Sequence, residues 1–190
     1  MLLAHYMVFE IIGVIIGLTY LYLSYKANKW LWVAGIVMPI VYVWIFFDSQ
    51  FYAMMGLNIY YFFACIYGWI RWTRGESSET QLKITHTPKR YIVPLTVAGV
   101  AIFAFLTILL VYFTDTPVAY GDSFVAALSM LGMWLLAQKY IEQWCVWLVV
   151  NVVSCGLFIW QGLYFTAVLF AVYSVISVLG YLKWKRMMGV

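Results

Sequence analysis

The stretch QWCVWLVVNVVSCGLFIW, Gln143–Trp160, is apolar along nearly its whole length and carries no charge. About 20 mostly apolar residues are enough for a helix to cross the hydrocarbon core of a bilayer, so this stretch predicts a membrane-spanning helix. At helical periodicity Trp144, Trp147 and Asn151 share one face of it. A polar amide on the tryptophan-bearing face of a helix in lipid is a candidate for a functional role.

The composition of the whole chain supports this interpretation. Of 190 residues, 66% are hydrophobic and 9% are charged, whereas a soluble domain is about half apolar and a quarter charged. The chain is therefore predicted to be an integral membrane protein. Seven windows fit a membrane span: Met7–Tyr25, Trp30–Phe47, Phe51–Trp72, Tyr91–Phe113, Tyr120–Gln138, Gln143–Trp160 and Leu163–Tyr181.

The positive charges give these spans an orientation. All eleven Lys and Arg residues lie at span ends or in connecting segments, and a seven-span topology places all of them on one side. Asp48, Asp115 and Asp122 fall on the opposite side. The positive-inside rule then predicts an external N-terminus and a cytoplasmic C-terminus, with the first span retained in the mature protein. The basic residues form no stripe that would follow a nucleic acid backbone.

No enzymatic or metal-binding motif is found in the sequence. Cys65, Cys145 and Cys155 lie in apolar runs without a Cys-x-x-Cys spacing, and the two histidines lie outside the spans. We therefore expect reduced cysteines that pack among apolar side chains, and neither a metal nor a cofactor. The spans also contain no P-loop and no catalytic triad, so the protein is predicted not to be an enzyme.

An internal repeat appears when the sequence is shifted by 112 residues. This shift places spans one to three on spans five to seven and leaves the fourth span as a linker. Six pairs match at this shift: Glu10 with Asp122, Trp32 with Trp144, Tyr52 with Tyr164, Tyr61 with Tyr173, Gly68 with Gly180, and Trp72 with Trp184.

Because both triplets start on the same side, the repeats are parallel, as in sugar transporters of the SWEET class. The predicted fold is thus an all-α integral membrane protein with seven transmembrane helices in a 3+1+3 arrangement. Its substrate site is expected between the halves, near the membrane midplane. The predicted segments are a first repeat at 1–72, a cytoplasmic linker and fourth helix at 73–119, a second repeat at 120–186 and a tail at 187–190.

Polar and aromatic side chains inside the spans are the candidate site. Indole faces together with an amide suit a flat heteroaromatic cation, whereas a hydrogen bond between helices is the structural alternative for each Asn. The predicted substrate-binding residues are Asn151, Trp144, Trp147, Asn58, Tyr61, Phe62, Tyr164 and Tyr173. Packing between spans explains four of these residues about as well as substrate binding does: Tyr61, Phe62, Tyr164 and Tyr173. Glu10 and Asp122 are candidates for a substrate entrance, or simply for helix starts.

Two stretches resemble the Pnu family of bacterial vitamin transporters. They are NIYYFFACIYGWIRW, residues 58–72, and a W-x-x-W-x-x-x-N pattern formed by Trp144, Trp147 and Asn151. A G-L-Y-x-T-A pattern follows at Gly162–Ala167, and the likeness covers nearly the whole chain. It implies vitamin uptake across the bacterial inner membrane by a homo-oligomer, expected to be a trimer. Facilitated diffusion without ion coupling, followed by intracellular phosphorylation that traps the vitamin, is also implied.

The residue at position 58 distinguishes the family's branches. The nicotinamide riboside branch usually has Gln there, and this chain has Asn58, so the resemblance favours thiamine as the cargo, with nicotinamide riboside as the alternative. A sugar carrier of the SWEET type and a non-transporting membrane scaffold are the remaining readings. Competition by sugars would indicate the first, and the absence of any ligand would indicate the second.

Overall fold

The computed structural model describes residues 15–48, 52–74, 82–114 and 116–189. Over these ranges the predicted all-α fold is confirmed, with seven α-helices and one isolated bridge between two extended residues. The helices are α1 (Ile15–Tyr25), α2 (Leu31–Asp48), α3 (Tyr52–Thr73), α4 (Ile92–Phe113), α5 (Ala119–Ala137), α6 (Gln143–Trp160) and α7 (Tyr164–Met187). A single turn of 3-10 helix, Lys89–Tyr91, leads directly into α4.

The described helices correspond to the seven predicted windows, with small shifts at their ends. In the described part of the chain, four helices are long and apolar enough to cross a membrane by themselves: those at Lys89–Phe113, Ala119–Ala137, Gln143–Trp160 and Tyr164–Met187. Ile15–Tyr25 and Leu31–Trp44 are shorter apolar helices. The beginning of the first predicted span lies outside the described residues. α3 has 22 residues, which at 1.5 Å per residue gives about 33 Å, the thickness of the hydrocarbon core.

The chain forms two compact units, Met1–Leu82 and Lys83–Val190. In the first unit α2 packs against α3. The Trp32 indole is fully buried and stands edge-on to Trp72, with ring centroids 5.5 Å apart and planes at 88°. The same indole lies on Gly68 of α3, where an added Cβ would collide with its ring. A residue larger than glycine would therefore force α2 and α3 apart.

In the second unit α4 packs against α5, α5 against α6, and α6 against α7. Trp144 of α6 stands edge-on to Trp184 of α7, with centroids 5.8 Å apart and planes at 88°. Its ring lies on Gly180, where an added Cβ would come within 2.6 Å. This arrangement repeats the Trp32, Gly68 and Trp72 cluster 112 residues later, as the internal repeat predicts.

The turns that join the first two helices of each repeat also match. Ala27 follows α1 with a φ of 50°, and Lys139, its mate at the 112-residue shift, follows α5 with a φ of 57°. In both turns the next backbone N–H reaches back five residues: from residue 28 to the carbonyl of Leu23, and from Tyr140 to that of Leu135. Such a left-handed residue closes a helix C-terminus by satisfying its last carbonyls.

The segment that leads into the 3-10 turn is fastened to the second of these turns. Thr85 pairs with Tyr140 as an isolated parallel bridge, made by Thr85 N–H to the Lys139 carbonyl and Ile141 N–H to the Thr85 carbonyl. Glu142 accepts hydrogen bonds from the backbone N–H and hydroxyl of Thr87 at 2.9 and 2.8 Å. One carboxylate, at the start of α6, thus secures the segment.

Candidate functional site

Asn151 of α6 is buried and bonds to α7. Its Nδ2 amide group donates to Ser177 Oγ at 3.1 Å, and the Ser177 hydroxyl donates to the carbonyl of Tyr173 at 2.9 Å. A hydroxyl has one hydrogen to donate, so Ser177 can only accept from Asn151. The amide orientation is thereby fixed, and no hydrogen bond from the described residues reaches its Oδ1. That oxygen is a candidate acceptor for a donor on a substrate.

Trp144 is placed differently from Asn151. It is only 2% exposed and is enclosed by Trp184 and Gly180. Trp32 has the same surroundings in the first unit, so packing between helices accounts for the position of this indole. In both tryptophans the Nε1 group is buried without a hydrogen-bond partner among the described residues. Contact between Trp144 and a substrate stays a prediction.

Trp147 is half-buried and turns toward α5. Its indole lies on Gly132, 3.2 Å from the position that a Cβ would take. In the first unit Gly35 matches Trp147, and Tyr20 matches Gly132. The large ring and the glycine have therefore changed places between the two helices. The Tyr20 ring of α1 lies on Gly35 of α2, 3.0 Å from the corresponding Cβ position. Each unit therefore places one aromatic ring at this helix contact, but from opposite helices.

The remaining candidates divide between the two units. In α3, Asn58, Tyr61 and Phe62 are half-buried; Tyr61 stands edge-on to Tyr60, and Phe62 to Phe63. In α7, Tyr173 is half-buried beside Phe170 at 5.8 Å. Tyr164, at the start of α7, is 66% exposed. The structure thus links Asn151 through Ser177 to the backbone carbonyl of Tyr173, and it leaves Tyr164 on the surface of the unit.

Of the two entrance candidates, Asp122 and Glu10, the structure describes only the first. Asp122 is in the first turn of α5 and accepts a hydrogen bond from the Thr116 hydroxyl at 3.0 Å. Its backbone N–H donates to the carbonyl of Val118. These bonds secure the start of the helix, which is the structural reading given for this residue. Glu10 lies outside the described residues.

Sequence reasoning missed three residues of this region: Ser177, Gly132 and Tyr20. The 112-residue shift contained a signal for two of them, because it places Gly35 against Trp147 and Tyr20 against Gly132. The sequence-based prediction also missed Gln143, which is fully buried at the position where the first repeat has Leu31. Both atoms of the Gln143 amide are without a hydrogen-bond partner in the described part of the chain.

Nothing in this region suggests a resident metal. Over the described residues, no three His, Cys, Asp or Glu side chains come together as a metal site would require. The site instead offers an oriented amide, indole and phenol rings, and hydroxyls. Such groups are suited to bind a small aromatic solute.

Many membrane transporters are all-α proteins with internal repeats and polar groups inside their spans. The family model described as "Nicotinamide mononucleotide transporter" matches residues 7–186. The chain therefore belongs to this family, and it is a vitamin transporter of the Pnu type.

Several relatives are similar over most of their length. The chain is 30% identical to the nicotinamide riboside transporter PnuC of Escherichia coli (strain K12), with 92% of this chain and 84% of that protein covered. It is 21% identical to the riboflavin/roseoflavin transporter RibM of Streptomyces davaonensis, covering 92% and 83%. A crystal structure of the vitamin B3 transporter PnuC matches with a TM-score of 0.67 at 22% identity, covering 90% of this chain and 78% of that one. This structural match supports the fold.

Proposed function

We propose that the protein takes up nicotinamide riboside by facilitated diffusion. The observation that carries this proposal is the 30% identity, across 92% of the chain, to a relative named as a nicotinamide riboside transporter. The relatives thus favour nicotinamide riboside, the alternative cargo predicted from the sequence, over thiamine. Thiamine stays a second candidate, because Asn58 stands where the nicotinamide riboside branch usually has Gln.

The chemistry of the candidate residues agrees with this substrate. Nicotinamide riboside has a pyridinium ring, and a cation over an indole face gains about 0.5 to 2 kcal/mol, depending on how far it is desolvated. Its carboxamide N–H is a donor that the oriented Oδ1 of Asn151 would accept. Trp147 supplies an indole that is not enclosed as Trp144 is. Asn58, Tyr61 and Phe62 are the proposed contributions of the first unit.

The distribution of charge supports uptake without ion coupling. No Lys, Arg, Asp or Glu lies in the middle of a predicted span, so the chain lacks the buried charges that ion-driven transport commonly uses. We place the N-terminus outside and the C-terminus in the cytoplasm of a bacterial inner membrane, on the positive-inside distribution. Phosphorylation inside the cell would then keep the vitamin from leaving. Rocking of the two repeats is the proposed route to alternating access, and the homo-oligomer is proposed to be a trimer.

Tryptophan fluorescence of the purified protein, titrated separately with nicotinamide riboside and thiamine, tests the substrate. Saturable quenching by nicotinamide riboside with little response to thiamine is the expected result. Quenching by thiamine alone would overturn the substrate while keeping the family. No response to either would count against vitamin binding, and competition by sugars would then test the sugar-carrier alternative.

Two substitutions test the residues. Asn151→Ala and Asn58→Ala should each weaken binding while the thermal unfolding temperature, Tm, stays close to that of the unmodified protein. Gln161→Ala, at an exposed amide beyond α6, is the matched control and should bind normally. Normal affinity in both asparagine variants would remove these residues from the proposed site.

A further inference from the structure

Tyr20 of α1 is not among the substrate-binding residues predicted from the sequence. Its ring occupies, in the first unit, the helix contact that Trp147 occupies in the second. The two contacts are related by the 112-residue shift, with Tyr20 matching Gly132 and Gly35 matching Trp147. Each unit thus has one flat ring and one glycine at this helix contact.

The neighbours of Tyr20 connect it with the candidate site residues of α3. An added Cβ on Gly35 would meet both the Tyr20 ring and Cys65 Sγ at 3.0 Å, so the phenol and the thiol converge on one point. Tyr61, a candidate substrate contact, lies four residues before Cys65 on α3, so the two residues share one face of that helix. In the second unit the residues that match Cys65 and Tyr61 are Ser177, which accepts the Asn151 hydrogen bond, and Tyr173, whose backbone carbonyl accepts from Ser177.

The two units therefore differ in how they divide the same chemical groups. In the second unit the aromatic ring and the amide both belong to α6, as Trp147 and Asn151. In the first unit α2 has Gly35 and Pro39 at those positions. Its ring comes instead from α1, as Tyr20, and its amide from α3, as Asn58. Tyr20 itself is half-buried.

We propose that Tyr20 is a substrate-contacting residue, which supplies an aromatic face from the first unit. The inference rests on the proposed function, because it takes the substrate to be a flat heteroaromatic cation. The face of a phenol ring attracts such a cation. The phenol hydroxyl can also accept a hydrogen bond, whereas the indole N–H can only donate one.

Calorimetric titration of the full-length protein with nicotinamide riboside tests this proposal. Binding by the unmodified protein comes first, since its absence would refute the proposed function rather than the role of Tyr20. Given binding, Tyr20→Leu should weaken the affinity by about fivefold or more through loss of the aromatic face. Tyr22→Leu, at an exposed ring on the same helix, should leave the affinity within about twofold by the same reasoning.

A second pair of variants tests Tyr20 without changing it. Gly35→Ala adds a methyl group against the Tyr20 ring and should weaken binding by displacing it. Gly17→Ala adds the same group on α1 where nothing lies within 4 Å, and it should bind normally. This pair keeps the proposal testable if Tyr20→Leu fails to fold.

Ligand charge separates contact from packing. The reduced, uncharged form of nicotinamide riboside has the same outline but no pyridinium charge. If Tyr20 contacts the cation, Tyr20→Leu lowers affinity for the charged ligand more than for the reduced one. Equal losses for both ligands would assign Tyr20 to packing, and unchanged affinity in both Tyr20→Leu and Gly35→Ala would likewise overturn the proposal.

Discussion

Asn151 and Ser177 form a directed pair across α6 and α7: the amide donates at 3.1 Å to a hydroxyl whose own hydrogen is committed to the Tyr173 carbonyl. The pair has no counterpart in the first unit, where the matching residues are Pro39 and Cys65. Because the pair engages the Nδ2 group of Asn151, the Oδ1 atom is the one that remains to accept a hydrogen bond from a ligand. Asn151 therefore depends on Ser177 for its orientation as well as for its hydrogen bond.

Ser177→Ala should weaken nicotinamide riboside binding by about twofold to tenfold, the worth of one net hydrogen bond. The Asn151 amide would then be free to turn and present its donor instead of its acceptor. Ser174→Ala is the matched control, because Ser174 makes the same bond to a carbonyl one turn back, that of Phe170 at 2.9 Å, without contacting Asn151. Equal affinities for the two variants, measured by calorimetry, would contradict an orienting role for Ser177.

Gly180→Ala should destabilise the second unit by about 1–3 kcal/mol, as overpacking of a tight contact does. The added methyl group would lie 2.6 Å from the buried Trp144 ring, which Trp184 holds from the other side. Thermal unfolding measured in detergent would register the loss as a lower Tm. Gly156→Ala, with nothing within 4 Å of its Cβ position, should have an unchanged Tm. A normal Tm for Gly180→Ala would contradict the prediction, because it would show that α6 and α7 can move apart enough to admit a methyl group without loss of stability.

Gln143→Leu should raise stability by about 1–2 kcal/mol, because it removes a buried amide that lacks partners and installs the residue that the first repeat has at the same position. The expected result is a higher Tm. Gln161→Leu makes the same change at an exposed site, so the Tm of that control should not rise. A lower Tm for Gln143→Leu would reveal that the amide is satisfied in the folded protein, for example by water.

The attachment of residues 85–87 should depend on pH through Glu142. Partial burial tends to raise the pKa of this carboxyl, but the hydrogen bonds from His86 and Thr87 outweigh it and hold the pKa below its usual value of 4.5. A depressed pKa adds stability that is present above the unfolded value and disappears as the pH falls through the folded value. The Tm deficit of Glu142→Gln should therefore be full at pH 7 and shrink below about pH 4.5.

The contact with Thr87 offers an independent check on this attachment. Thr87→Val removes the hydroxyl that donates to Glu142, whereas Thr85→Val alters an exposed side chain whose segment bonds through its backbone. Hydrogen exchange at the Ile141 amide should quicken in the first variant and stay slow in the second. Equal exchange in the two variants, or a Glu142→Gln deficit that is constant with pH, would argue against the carboxylate as the fastening group.

The fold was predictable because membrane spans and repeats leave linear signals. Apolar windows located the helices, and the spacing between Trp32, Gly68 and Trp72 recurs in the second half as a contact cluster. The site was harder to predict. The periodicity of a helix shows on which face a side chain lies, but it does not show which helix packs against that face. Trp144 and Trp147 share a broad face of α6, yet one contacts α7 and the other α5. Ser177 is 26 residues from Asn151, and a sequence does not give the register between two helices.

The exchange of ring and glycine between the two repeats also constrains how such sequences drift. Positions 20 and 35 share one space, as do positions 132 and 147, so neither member of a pair can enlarge unless the other shrinks. Among descendants of a duplicated three-helix ancestor, side-chain volumes at each pair should therefore vary in opposite directions while their sum stays nearly constant. An intermediate with glycine at both positions would leave a gap of about one ring between helices.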